Sequence, residues 1–229
     1  MLELTLQTMP FLLEGFLNTI LISLVAIALG SFVGLVLGLG RTVGPKAVYN
    51  LIGLYVHLVR ATPFLVQIYI VYYVLPTTKL SIFDFSNFTA AVIALTIYTS
   101  SYTAEIVRGS LEAVPKGQWE AASAVGMNMR QRLLNVILPQ AWKLTLPPLA
   151  GVYVLVIKGT SILTVIGVVE LMRQGEDAIH RHPAHIMWIL FLVASLYFIY
   201  CFPILRGIKY MENRIAAKGA RSVAGDAQW

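Results

Sequence analysis

The sequence predicts an all-α, polytopic membrane protein with about five membrane-crossing helices, and three observations carry that prediction. First, 58% of the 229 residues are hydrophobic and only 12% are charged, with a mean hydropathy of +0.75. A soluble domain carries about 25% charged residues, and a chain of this size cannot hide so much apolar surface from water. Second, several uncharged runs reach the ~20 helical residues needed to cross ~30 Å of hydrocarbon. Third, the basic residues cluster in loops beside those runs, as insertion orientation requires. The net charge of +6 therefore reads as a membrane signature and not a nucleic-acid one. The single cysteine, Cys201, lies in an apolar run and excludes an internal disulfide. The first apolar run lacks a basic flank and is long enough to span, so no cleavable signal peptide is expected.

Residues 1–15 are mixed, with Glu3, Pro10 and Glu14, and suit a short interfacial helix. The first span covers about 16–40. Within it Gly30, Gly34 and Gly38 recur every four residues, placing three bare backbone patches on one face, a mark of close helix–helix packing in lipid. Residues 41–46, basic and with a turn, are placed in the cytoplasm. Residues 47–60 are apolar with Tyr49, Tyr55 and His57 and suit the interface. The second span is about 61–76, where Gln67 is the one strongly polar residue well inside. An interhelical hydrogen bond explains it at least as well as a substrate contact. Residues 77–87, with Lys79 and Asp84, form an outside loop. The third span, about 85–105, is polar from Tyr98 to Thr103. Glu105 and Arg108 stand three apart and can pair on a helix, either as a plain salt-bridged helix end or as a gate or loop-positioning pair.

A polar loop over about 109–140 follows. Pro115 and Gly117 mark a break, after which Trp119, Glu120, Ala121 and Ala122 make a helical turn. Glu120 is expected in its first turn, where the helix dipole favours a carboxylate. Gly126 is a left-handed stop after about two turns. A helix that short is marginal alone in water and must be held by packing, and the two alanines let another surface approach its backbone. Pro139 and the Pro147–Pro148 pair are expected to break the backbone on entry to the fourth span, about 144–165. Lys158, inside or near the hydrocarbon, is a functional candidate, with snorkelling to the outer interface as the plainer reading.

Residues 173–185 form an extended polar region on the outer side. His180, His182 and His185 carry imidazoles that can bind transition metals. With no cysteine or second shell in support, the reading is a solvated loop and no metal site. The fifth span is about 186–206, and Arg206, Lys209, Arg214, Lys218 and Arg221 make a basic cytoplasmic tail. Basic loops at 41–46, 108–143 and 206–221 place the N-terminus outside and the C-terminus in the cytoplasm, with residues 1–229 as one transmembrane domain.

The stretch 120–139 resembles the EAA loop of ABC-importer permeases: Glu120, Ala121, Ala122, then Gly126, then Val136, Leu138 and Pro139, with valine where isoleucine is usual. Arg60-Ala61-Thr62-Pro63-Phe64-Leu65-Val66-Gln67 is similar to the Arg-Gly-Thr-Pro-Leu-Leu-Val-Gln segment of polar amino-acid permeases. Ala104-Glu105-Ile106-Val107-Arg108-Gly109, Lys158-Gly159-Thr160-Ser161-Ile162 and Ile166–Leu171 match further family segments. The resemblance runs from about Phe11 to Arg214. It implies a multi-pass permease of the bacterial inner membrane, paired with a second, identical or homologous permease. It also implies ABC ATPase subunits and an extracytoplasmic amino-acid-binding protein as partners.

On that resemblance Glu120, Ala121, Ala122 and Gly126 contact the ATPase. Gln67, Tyr98, Ser101, Lys158, Thr160 and Ser161 are candidates for the pathway, because polar groups in lipid need partners or water. The chain is not expected to be an enzyme or to hold a cofactor. Phosphate cradling needs Gly-x4-Gly-Lys-[Ser/Thr], and Gly44-Pro45-Lys46 lacks that spacing, so ATP and Mg belong to the partner ATPase. The alternative is a self-sufficient secondary transporter or channel subunit, which would favour inverted repeats and membrane-embedded carboxylates. Neither is evident. Which amino acid is carried is not legible.

Overall fold

The structure, a computed structural model, describes the backbone of residues 1–226 and the side chains through residue 215 apart from Ser81. Lys218 and Arg221 of the basic tail lie outside the described side chains. Nine α-helices are described, with no strand among the described residues: α1 (Leu2–Val43), α2 (Lys46–Ala61), α3 (Phe64–Tyr69), α4 (Asn87–Glu112), α5 (Lys116–Ala124), α6 (Met129–Arg132), α7 (Leu138–Gly159), α8 (Leu171–Arg181) and α9 (Ile186–Asp226). Among the described residues four helical stretches are long and apolar enough to cross a membrane, and a fifth crossing is formed if α2 and the 64–78 stretch, bent by 107°, count as one broken span. The break falls at Thr62 and Pro63, since a proline disfavours the helical region for the residue before it.

The bundle is organised on α1 and α4, which run parallel and in close contact. A Cβ added to Gly30, Gly34 or Gly38 would lie 2.5, 2.4 or 2.7 Å from the Cβ of Thr99, Thr103 or Val107. Every partner is four residues on from the last, so two i±4 ridges meet along the whole contact, and only glycine lets the axes come this near. The polar run of α4 is used here. Thr99, Ser100, Ser101 and Thr103 are buried, and the hydroxyls of Thr99, Ser100 and Ser101 donate to the carbonyls of Leu95, Ile97 and Tyr98. Small hydroxyl side chains that bond the carbonyls of their own helix can be buried, and Ser100 also meets the Tyr55 hydroxyl of α2 at 2.6 Å.

Several expectations are corrected. Residues 1–15 are no separate helix but the first turns of α1, which at 1.5 Å per residue runs about 63 Å. They are held at the far end by Trp188, whose Nε1 donates to Thr5 Oγ1 at 2.8 Å. Pro147 and Pro148 do not break the chain. They lie inside α7, as bilayer-crossing helices tolerate where neighbouring groups re-satisfy the freed carbonyls. The irregularity falls before them, in a π-helical turn over Leu133–Ile137. Of residues 173–185, those to Arg181 are not a loop but helix, and a short 3-10 turn follows over Pro183–His185: Leu171, Gly175 and Ala178 recur at helical spacing, are buried, and form the inner face of α8.

α8 and the strap before it are tied to three other helices. Asn18 Nδ2 donates to Val169 O at 2.8 Å, and Asn87 Nδ2 to Gly167 O at 2.9 Å. Leu171 N donates to Thr19 Oγ1 at 3.1 Å. Glu170, fully buried, caps α8 by accepting from the amides of Met172 and Arg173 and from the Tyr197 hydroxyl.

Candidate functional site

At the end of the bundle opposite α8, the short helix α5 stands out from the long helices. It begins directly after Pro115, so Glu120 is its fifth residue and not in its first turn. A proline ahead of the first helical residue starts the helix earlier than the Glu-Ala-Ala triplet suggests. The dipole therefore gives Glu120 little support. The C-terminus is as expected: Gly126 is left-handed, φ +79°. The Met127 amide reaches Ala122 O at 3.2 Å and the Gly126 amide reaches Ser123 O at 3.0 Å, the paired bonds of a Schellman stop.

The two alanines divide their work. Ala122 is buried, while Ala121 and Glu120 are exposed, because consecutive helical residues point about 100° apart. On the inner side, Trp119 packs against a cluster of Val107 and Leu111 of α4, Val114 just beyond it, Ile137 of the π-helical turn and Ala141 of α7. Arg132 donates to Ser123 Oγ, and Gln140 Nε2 to Gln118 Oε1 at 3.2 Å. The outer side is a shallow depression lined by Trp119, Glu120, Ser123, Ala124 and Arg132. A helix of nine residues is thus fixed from behind by apolar packing and offers its other face to solvent.

One level deeper lies an ion network. Glu105 pairs with Arg108, as the spacing predicts, but also with Arg41 of α1, and Arg108 pairs in addition with Glu112. Arg41, expected in the basic loop 41–46, is instead in the last turn of α1 and buried. The phase of the glycine ridge held the signal, since position 41 follows Gly38 by three and falls on the same face.

The pathway candidates are only partly brought together. Lys158, exposed on α7, and Tyr98 line one cavity of about 250 Å³ with Phe64, Leu95 and Ile162. Tyr98 lies between Phe64 and Tyr102, its ring tilted to both with centroids 5.0 and 4.7 Å apart, and Arg60 lies over the Tyr102 ring. Lys158 and Ser161 also border a larger, apolar groove of about 590 Å³ along α9. Gln67 is not in either. Its Nε2 donates to Val59 O at 2.6 Å and to Thr62, stapling the break between α2 and α3. Ser101 faces inward, and Thr160 is buried, donating to Ile157 O.

At the α8 end, burial pushes the Glu170 carboxyl above its ordinary range, against the pull of the two amides and the tyrosine hydroxyl. No group of three metal-capable side chains occurs among the described residues.

Comparison with known proteins places this geometry. Residues 30–216 match the family described as binding-protein-dependent transport system inner membrane component. The L-cystine transport system permease protein TcyB of Bacillus subtilis is 35% identical over 206 residues, covering 90% of this chain and 87% of its own. The glutamine transport system permease protein GlnP of Escherichia coli is 38% identical over 170 residues, covering 74% and 77%. A crystal structure of an amino acid ABC transporter with histidines superposes with a TM-score of 0.82 at 30% identity, covering 92% of this chain and 96% of that one. The inward-facing MetNI methionine ABC transporter, at 21% identity and a TM-score of 0.72, shares the fold.

Proposed function

Because the chain belongs to the binding-protein-dependent transport system inner membrane component family, we propose that it is the permease subunit of an ATP-driven importer for a polar amino acid. Its relatives are named for cystine and glutamine, which supports amino acids as the class and leaves the individual one open. The chain is a multi-pass protein of the bacterial inner membrane. It hydrolyses nothing itself: ATP and Mg are bound by separate ATPase subunits. A second permease copy or homologue completes the pathway, and an extracytoplasmic binding protein delivers the substrate. The N-terminus lies outside and the C-terminus in the cytoplasm, by the basic-loop rule.

The observation that carries this reading is α5: a short helix backed by Trp119 and Ala122, with Glu120 and Ala121 free on its outer face. That face is a docking surface for the ATPase. Closure of the ATPase subunits pushes α5, and the push reaches α4 and α7 through the cluster behind Trp119. The permease halves then alternate between outward- and inward-facing forms that differ in affinity for the substrate. In the pathway, the Lys158 ammonium meets the substrate carboxylate beside Tyr98.

Purification of the chain from its native membrane tests this. An ATPase subunit should come with it, and the reconstituted pair should take up an amino acid only with ATP and the binding protein. Uptake driven by an ion gradient without ATP would return the assignment to a secondary transporter.

A further inference from the structure

Arg41 holds a place that its sequence context does not account for. An arginine in the last turn of a helix ordinarily faces water and complements the helix dipole. This one is 7% exposed and points into the bundle. Its guanidinium pairs with Glu105 of α4 and sits 5.0 Å from the ring centroid of Tyr49. It also lies against Gly53, where an added Cβ would be 3.1 Å from Nη2. Tyr49 and Gly53 are one helical turn apart on α2, so a single side chain spans three helices. Side chains lean toward the N-terminus of their helix, which is how Arg41 reaches back to Glu105 although the ridge contact above it, Gly38, is already level with Val107. Its Nε has no hydrogen-bond partner among the described residues.

Stability does not explain this arrangement. Taking an ion pair out of water recovers little over an apolar pair of the same volume, and α1 and α4 are already joined by the glycine ridge. Mechanics does. Beside and just beyond Glu105 and Arg108, α4 presents Val107 and Leu111, and the chain after it Val114, to Trp119 behind the α5 face. We infer that Arg41 is a positioning residue for energy coupling: it locks the inner ends of α1 and α2 to α4, so that a push on α5 moves the three helices as one block. Coupling of this kind can be carried by a contiguous chain of packed and charged contacts, and the path α5, α4, Glu105, Arg41, α2 is one. The inference rests on the proposed function, since it presumes a push delivered to α5.

The test uses the complete importer, with ATPase subunits and binding protein, in proteoliposomes. Two quantities are read for Arg41→Met and Arg41→Lys: the amount of assembled complex, and the ATP hydrolysed per amino acid taken up. Arg41→Met should assemble and spend about tenfold more ATP per amino acid, within the span of ordinary inter-site coupling. Arg41→Lys keeps a charge for Glu105 but cannot also cover Tyr49 and Gly53, so it should fall between. Spin labels at positions 43, the last residue of α1, and 113, directly after α4, should give one distance in the wild type and a broadened one in Arg41→Met. A wild-type ATP-to-substrate ratio in Arg41→Met overturns the inference. If that variant does not assemble, a wild-type ratio in Arg41→Lys does so. Failure of the unaltered complex to couple ATP to uptake at all would count against the proposed function itself.

Discussion

Replacing Gly34 by alanine should force α1 away from α4. The new Cβ would lie 2.4 Å from Thr103 Cβ and 2.8 Å from Ser100 O, whereas ordinary contact starts at 3.4 Å. The axes must therefore separate by about 1 Å, or Thr103 must leave its rotamer; overpacking of that kind costs about 1–3 kcal/mol. Alanine is the better helix former by up to ~1 kcal/mol, which offsets part of this, so the net loss is up to about 2 kcal/mol. For a chain of this length that is about 2–4 °C of melting temperature per kcal/mol. The control is Gly151→Ala in α7, where an added Cβ meets nothing within 4 Å and the propensity gain stands alone. Thermal unfolding of the detergent-purified variants should show Gly34→Ala melting below the wild type and Gly151→Ala at or above it. A Gly34→Ala protein as stable as the wild type would refute the claim that the ridge sets the α1–α4 distance.

Three further outcomes are expected. Gly126→Val should detach the stop of α5: its Cβ has room, but a β-branched residue resists φ +79°, so protease access to 124–130 and loss of ATPase binding should rise together, and an unchanged digest contradicts this. Lys158→Met should abolish uptake while Lys158→Arg retains part of it; near-normal uptake by the methionine variant would leave only a snorkelling lysine. Glu170 releases its proton at higher pH folded than unfolded, so the folded state loses stability as the pH rises from the ordinary glutamate range to the raised value and levels off above it. Glu170→Gln should flatten that part of the stability–pH curve, and melts that keep the wild-type slope would contradict it.

Much of this was legible in the chain. The glycine ridge announced itself because a four-residue repeat of glycine has few other uses in lipid, and Gly126 because a left-handed residue is needed where a short helix must stop. The Glu105–Arg108 pair followed from its spacing. What escaped depended on tertiary contact. Arg41 looked like one of several loop cations, since its burial comes from α2 folding back over it. Glu170 stood in a recognised segment, yet nothing local showed that Tyr197, 27 residues away, would bury it. Ser101 and Gln67 are polar residues in apolar runs, and sequence alone cannot separate a side chain that faces a cavity from one that satisfies the backbone.

If α5 is the face through which a separate ATPase drives this permease, Glu120→Lys must break the link. Glu120 is exposed on this chain, so the variant should insert, fold and melt as the wild type does. Against a partner that holds the carboxylate, truncating one charge of an interfacial pair weakens binding by about thirtyfold or more, and reversing it does at least as much. The variant should reach the membrane in normal amount, no longer copurify with the ATPase subunit, and lose ATP-driven uptake. A variant that retains wild-type ATPase association and uptake would show that α5 is a passive surface helix.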